Sequence, residues 1–369
     1  MNLLIGTRKG LFTYTRDDQG WQAVSETFLG DPIPMLLPDR RDGTWYVAVE
    51  HGHFGTKLHR SDDQGQHWEE LDAPRYPEKP DDVPDTLCPM RQIPIPWSLE
   101  KIWTLQAGGV DQPGTLWCGT IPGGLFKSTD RGASWALNRP LWDMPERAKW
   151  CGGGYDYPGI HSIELNPANA DDLVLGISCG GVWRTRDGGQ SWAQMAHGMF
   201  YDFNPDEPED TPDAQDPHCV VRCAADPEQM WSQHHCGIFK WQPGESRWQR
   251  QEGIKPSAFG FAVAVHPDDP ETAWFVPAVK DEWRYPVDGK LVVTRTRDGG
   301  QTFETLSGGL PQGKAYDLIY RHGLAVDDTG RTLAMGSTTG ALWVSGDGGE
   351  QWELLSAHLP PIYCVRLVN

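Results

Sequence analysis

The sequence predicts an all-β chain folded as a seven-bladed β-propeller, and three observations predict it. An eight-residue phrase recurs five times along the 369 residues. Each copy lies between two short runs of strand-like composition. The last residues supply a strand that the first blade lacks. Self-similarity at this spacing is the mark of a repeat architecture.

The phrase reads Ser61-Asp62-Asp63-Gln64-Gly65-Gln66-His67-Trp68, and returns at 128–135, 185–192, 296–303 and 345–352. Its consensus is Ser/Thr-x-Asp-x-Gly-x-x-Trp/Phe. Gly124-Leu125-Phe126-Lys127, Gly181-Val182-Trp183-Arg184 and Ala341-Leu342-Trp343-Val344 precede three of the copies. Apolar runs bounded by Gly and Asp read as hairpins. The Asp carboxylate can accept backbone N–H groups across the turn, and the Gly supplies positive φ. The phrase is thus itself a structural turn and says much less about chemistry.

Counting outward from each phrase gives four strands per blade. Blade 2 is predicted at 32–39, 45–50, 57–61 and 68–71, and blade 3 at 102–107, 116–120, 125–128 and 135–137. Blade 4 is predicted at 161–165, 173–178, 182–185 and 192–195. Blade 5, where Gln242-Pro243-Gly244-Glu245 replaces the phrase, is predicted at 219–225, 230–234, 238–241 and 248–251. Blade 6 is predicted at 259–265, 273–277, 291–296 and 303–306, and blade 7 at 322–326, 332–336, 342–345 and 352–355. Blade 1 has runs at 3–6, 11–15 and 21–24 only, and 363–368 completes it by pairing beside 3–6. Closure of this kind removes open sheet edges. Residues 1–369 are read as one domain.

Composition bounds the function. A net charge of −19 argues against nucleic acid or an anionic membrane as partner. No run approaches the ~18 apolar residues of a membrane span. The N-terminus meets a Gly and two cations too early for a signal peptide and reads as a strand. The eight cysteines are scattered, which reads as reduced thiols in a cytoplasmic protein. A monomer or small homo-oligomer is expected.

Three insertions, 72–100, 142–160 and 197–218, join a fourth strand to the next first strand and so share one rim. Long loops on a rigid scaffold carry function. The third holds an acidic run from Asp206, read as a solvated loop or, alternatively, a Ca²⁺ loop. First strands begin and second strands end on that same face, and chemistry gathers there. His51, His53, His161, His218 and His235 are five imidazoles suited to a divalent metal (Zn²⁺, Mn²⁺, Fe²⁺ or Cu²⁺), to acid/base work or to a hydrogen-bonded cluster. His51 and His53 share a side only if their segment is extended. His161, His218, Glu50 and Tyr155 are the catalytic candidates; Arg8, Lys280, Glu282 and Tyr316 are the substrate-binding ones. The loop Trp150-Cys151-Gly152-Gly153-Gly154-Tyr155-Asp156-Tyr157 reads as a sugar-stacking wall, a lid or a plain turn. No organic cofactor is expected.

The five phrases, the opening Leu4-Ile5-Gly6-Thr7-Arg8-Lys9-Gly10-Leu11-Phe12 and the segment Gln233-His234-His235-Cys236-Gly237-Ile238-Phe239-Lys240 carry a resemblance. The chain resembles bacterial BNR or Asp-box repeat propellers, the sialidase-like and sortilin-like group whose members are labelled exo-α-sialidase or glycosyl hydrolase. The resemblance implies a propeller with its site on the face opposite the repeated turns. A sialidase is implied to carry three arginines, a Tyr–Glu nucleophilic pair and an acidic Asp. Here Arg8 alone sits comfortably on the functional rim, and the Phe/Tyr-Arg-Ile-Pro element is absent. The expected function is hydrolysis or elimination, metal-assisted or not, on a polar or anionic small molecule or sugar. Sialidase-like glycoside hydrolysis and a non-catalytic ligand-binding or assembly scaffold are the alternatives.

Overall fold

The computed structural model describes residues 1–201 and 211–368. It contains seven four-stranded antiparallel sheets. One is ordered β28 (Ile362–Val368), β1 (Asn2–Thr7), β2 (Gly10–Asp17), β3 (Gly20–Thr27). The next holds β4 (Met35–Pro38), β5 (Trp45–Glu50), β6 (Thr56–Ser61) and β7 (Glu69–Leu71). Then come β8 (Lys101–Ala107), β9 (Leu116–Ile121), β10 (Leu125–Ser128) and β11 (Ala136–Leu137), followed by β12 (Gly159–Asn166), β13 (Asn169–Ser178), β14 (Gly181–Thr185) and β15 (Ala193–Gln194). The fifth sheet is β16 (Pro217–Arg222), β17 (Met230–His234), β18 (Gly237–Gln242) and β19 (Arg247–Arg250). The last two are β20 (Gly260–Val265) to β23 (Glu304–Leu306) through β21 (Ala273–Pro277) and β22 (Val293–Thr296), and β24 (Leu324–Val326) to β27 (Trp352–Ser356) through β25 (Leu333–Gly336) and β26 (Leu342–Ser345). This is a seven-bladed β-propeller.

The predicted closure is present: β28 runs antiparallel to β1, with Leu3 opposite Leu367 and Gly6 opposite Cys364. Four of the fourth strands start one residue later than predicted, after Trp68, Trp135, Trp192 and Phe303, while Trp352 opens β27 as predicted. The first strand of the second sheet starts at Met35, three residues later than predicted, since Pro32 and Pro34 have no N–H to give a ladder.

The repeated turn is built the same way five times. The Ser or Thr oxygen accepts the N–H of the Gly four residues on, at 2.7 Å in the first copy and 2.9 Å in the other four. The Asp Oδ1 accepts the N–H four residues after itself, at 2.9–3.0 Å throughout. Gly65, Gly132, Gly189, Gly300 and Gly349 have φ between +84 and +94, where a Cβ is strained.

By internal packing the chain divides into two compact units. The first is Met1–Arg40, Val221–Trp241 and Arg250–Asn369; the second is Arg41–Val220 and Gln242–Gln249. In the first, Leu3, Ile5, Leu342, Val344, Ile362, Val365 and Leu367 form one core cluster, and Trp274, Trp343 and Trp352 anchor another. In the second, Trp117, Trp150, Trp183, Leu173, Leu175 and Ile177 pack together with Trp192 against them. All eight cysteines are buried as free thiols. Among the described residues no helix is long and apolar enough to cross a membrane.

Candidate functional site

In the second unit, strand ends and two insertions deliver a connected polar group. Glu50 closes β5 and Lys101 opens β8. The Lys101 ammonium lies 2.6 Å from Glu50 Oε1, with the lysine side chain almost fully buried. It also sits 5.4 Å from the centre of the Tyr155 ring. Burial opposes the charge on Lys101, but Tyr155 and Glu50 outweigh it and hold the ammonium above the ordinary lysine range. Tyr155 is 42% exposed and stands edge-on to buried Trp103, with ring centres 5.2 Å apart. Trp103 in turn meets His161 edge-on at 5.5 Å.

His161 is buried and both of its ring nitrogens are engaged. Nε2 is 2.7 Å from Pro217 O and Nδ1 is 3.0 Å from Ser162 Oγ. A carbonyl only accepts, so Nε2 carries the proton and Nδ1 accepts from the serine hydroxyl. Ser162 Oγ is free to donate because it accepts from Val220 N at 3.1 Å. The ring as placed offers no lone pair to a metal, which corrects the expectation that His161 is a ligand. It reads as a structural imidazole under the Trp103 wall.

Asp216 and His218, either side of the start of β16, are both buried. Asp216 Oδ2 lies 3.4 Å from His218 Nε2, while Oδ1 accepts Ser178 Oγ at 3.2 Å and Cys179 N at 3.0 Å. Next to this pair, Cys151 N donates to Cys179 O at 3.0 Å and Gly152 N donates to Cys88 Sγ at 3.4 Å. The contact between the two thiols holds Cys151 below the ordinary cysteine range and pushes Cys179 well above it. Of the three glycines, two are there for close approach: a Cβ on Gly152 would stand 2.3 Å from Tyr155 O, and one on Gly153 2.8 Å from Cys179 Sγ. Gly154 faces open space.

His51 and His53 sit elsewhere in this unit. Gly52–Phe54 is a 3-10 turn, closed by His51 N donating to Gly55 O at 2.9 Å. The segment is not extended, so the two imidazoles do not project together as a strand pair. His51 instead lies against Phe54, 5.4 Å between ring centres. Residues 206–210 of the acidic run expected to solvate or to bind Ca²⁺ lie outside the described residues.

The first unit carries the remaining candidates. His235 occupies the turn between β17 and β18, with its ring 5.8 Å from Phe259. Arg8 N donates to Pro361 O at 2.8 Å, beside the closing strand. Lys280 Nζ meets Glu282 Oε2 at 3.1 Å and lies 4.9 Å above the Trp283 ring. Tyr316 lines a cavity of about 540 Å³ with Val279, Trp283, Tyr285, Asp288, Gly289 and Lys314 among its walls. The structure thus brings together Glu50 with Tyr155, Asp216 with His218, and Lys280 with Glu282. Sequence reasoning missed Lys101, Trp103, Asp216, Trp283 and Tyr285. The rule that first strands start on the functional face would have found Lys101, the opening residue of β8.

No family model matches the chain. A curated relative, described as a probable oligoxyloglucan-reducing end-specific xyloglucanase of Neosartorya fischeri, is 25% identical over 277 residues. That match covers 68% of this chain and 31% of the relative, so the chain spans about a third of the relative's length. The fold is similar to that of the GH74 xyloglucanase of Xanthomonas campestris, at 18% identity and TM-score 0.61, over 98% of this chain and 51% of that one. An ancestral GH74 enzyme gives 16% and 0.60, over 87% and 38%. A YCF48 structure with a bound D1 peptide gives 14% and 0.52, over 94% and 87%. The chain is a seven-bladed β-propeller similar to the propellers of GH74 xyloglucanases.

Proposed function

We propose that this propeller acts on carbohydrate as a glycoside hydrolase, with Tyr155 as the group that meets the sugar. The observation that carries the reading is the Glu50–Lys101–Tyr155 arrangement. Tyr155 is the exposed end of an otherwise largely buried set, and Trp103 fixes its ring. The Tyr155 hydroxyl both donates and accepts, which suits it to a sugar hydroxyl or the glycosidic oxygen, and the Lys101 ammonium held by Glu50 sets a fixed positive charge beside it. The xyloglucanase named as a curated relative supports the sugar-hydrolase class. A panel of fluorogenic glycosides, neutral and sialylated, tests it. Turnover should fall by about 10²-fold or more in Tyr155→Phe while the fold is kept. No turnover on any member, or turnover unchanged in Tyr155→Phe, overturns the assignment.

A second reading, saccharide binding without turnover, is favoured by the state of the carboxylates. Glu50 is tied to Lys101, and Asp216 to Ser178, Cys179 and His218. Binding retained in wild-type protein that never releases product supports it. The metal expectation survives best on His218 with Asp216, a buried imidazole–carboxylate pair of the type that Zn²⁺ or Fe²⁺ accepts. Elemental analysis of wild type against His218→Ala, on tag-free protein, tests that part separately.

A further inference from the structure

The chain has 18 tryptophans, and among the described residues Trp283 is the one that is more exposed than buried, at 55%. Tyr285 is 37% and Tyr316 67% exposed. All three rings line the cavity of the first unit, beside Asp288 and Lys314. Exposed aromatic rings scattered singly need no explanation, but rings gathered round one cavity do.

The frame beneath them is fixed by main-chain bonds. Trp283 N donates to Lys280 O at 3.0 Å, Tyr285 N to Trp283 O at 2.9 Å and Val279 N to Tyr285 O at 2.9 Å. Ala315 N donates to Gly289 O at 2.9 Å, which ties the segment carrying Lys314 and Tyr316 to the turn carrying Asp288. Tyr285 and Tyr316 stand 6.4 Å apart with their rings inclined by 58°. The rings are thus held apart on a set framework.

We infer that this cavity is a binding site for a neutral oligosaccharide. Two features select that class. The C–H faces of a pyranose match aromatic rings, and its hydroxyls both donate and accept, so one sugar satisfies an ammonium and a carboxylate together. The cationic groups are also balanced. Lys314 shares the cavity with Asp288, Lys280 is paired with Glu282, and Arg284 with Asp281. An acidic sugar would gain nothing from such a field and would meet carboxylates. The inference thus favours a neutral ligand over the anionic one that Lys280 alone would suggest. The inference rests on the carbohydrate reading but not on catalysis, since its residues are separate from Glu50, Lys101 and Tyr155.

Calorimetric titration tests it with cellotetraose and maltotetraose as neutral probes, and with trigalacturonate and sialyllactose as acidic ones. The expected result is saturable binding of a neutral probe. Trp283→Ala and Tyr316→Ala should each weaken it at least tenfold, with the unfolding transition unchanged. The fluorogenic glycosides are assayed on the same wild-type protein, so a failure of the hydrolase reading is seen separately as no turnover with saturable binding kept. Absence of saturable binding by either neutral probe overturns the inference. So does stronger binding of an acidic probe, or binding that survives both aromatic substitutions.

Discussion

Removing residues 362–369 should abolish cooperative folding. The deleted strand pairs with β1 over its whole length, from Asn2 opposite Val368 to Thr7 opposite Ile362. It also donates from Ile362 N to Ser337 O and from Val365 N to His322 O, both at 2.9 Å. Ile362, Cys364 and Val365 are fully buried and Leu367 is 3% exposed. Each such side chain contributes about 1.5–3 kcal/mol when buried, so the four together contribute roughly 6–12 kcal/mol. Whole domains are stable by only about 5–15 kcal/mol. The truncated chain also leaves the β1 edge without a partner, an invitation to association. Urea unfolding followed by tryptophan fluorescence and by far-UV circular dichroism measures the effect. A graded version keeps the protein folded: Leu367→Ala should cost about 2–4 kcal/mol through the cavity it leaves. A truncated protein that unfolds at the wild-type urea midpoint would refute both the closure and the burial argument.

Three further expectations follow from single sites. Asp187 accepts Gln190 N, Ser191 N, Ser191 Oγ and Thr185 Oγ1, which together hold its carboxyl at about 2 against an ordinary 3.8. Its contribution is present above the ordinary carboxylate range and is lost as pH falls from about 4 toward 2, so Asp187→Ala should lower the melting temperature at pH 7 and make little difference near pH 2. An NMR titration placing Asp187 near the ordinary value would sink that account. Cys151, held low by the Cys179 thiol, should be the first cysteine alkylated by iodoacetamide at neutral pH, ahead of buried Cys118 and Cys364, whose thiols burial pushes up. Peptide mapping that finds Cys118 labelled first contradicts it. Glu50→Gln leaves the Lys101 ammonium with a weaker partner and should cost about 1–2 kcal/mol at pH 7, discounted because Glu50 is partly exposed. The loss should fade above the ordinary lysine range, where Lys101 gives up its proton, and Lys101→Met in the Glu50→Gln background should restore part of it.

The fold was legible because its signal is local. A Ser or Thr, an Asp and a Gly at fixed offsets close the same turn whatever surrounds them, and the five copies differ by no more than a few tenths of an ångström in their key bonds. Five turns fix where hairpins lie, and the spacing between them leaves room for two strands more. The missing strand of the first sheet then had to come from the other terminus, as it does. Strand ends were less legible. The aromatic that ends each of the five phrases looks like the first residue of a strand, yet of the five Trp352 alone opens one and the other four strands start a residue later.

The site was legible only where it lies on strand ends. Glu50, His161 and His218 were found by that rule, and Lys101 satisfies it too. What the rule cannot supply is which polar atoms the protein has already used. The sequence offers five imidazoles as equals, but His161 spends both nitrogens on Pro217 and Ser162, and His51 and His53 are turned apart by one 3-10 turn. Nor does it separate Trp283 from the other tryptophans, because exposure there is decided by a short loop bonded to itself between Val279 and Tyr285.

Groups already bonded within the protein also rank the proposed binding surfaces. The repeat aspartates, Asp216 and His161 are engaged by several protein groups each, and breaking those bonds to hold a ligand costs about what the ligand returns. Aromatic faces are engaged more lightly: a lysine ammonium lies over Trp283 and another beside Tyr155, contacts that leave much of each ring uncovered. Tyr155, Trp283, Tyr285 and Tyr316 keep large areas toward solvent while their edges and backbones are held in place. A ligand that covers them gains apolar burial with little new ordering of the protein, and a charged neighbour such as Lys101 or Lys314 then sets its orientation. A flat, hydroxylated molecule meets both demands. A small ion or a purely charged metabolite meets only the second, so the aromatic variants, more than the histidine ones, test the binding proposed for this propeller.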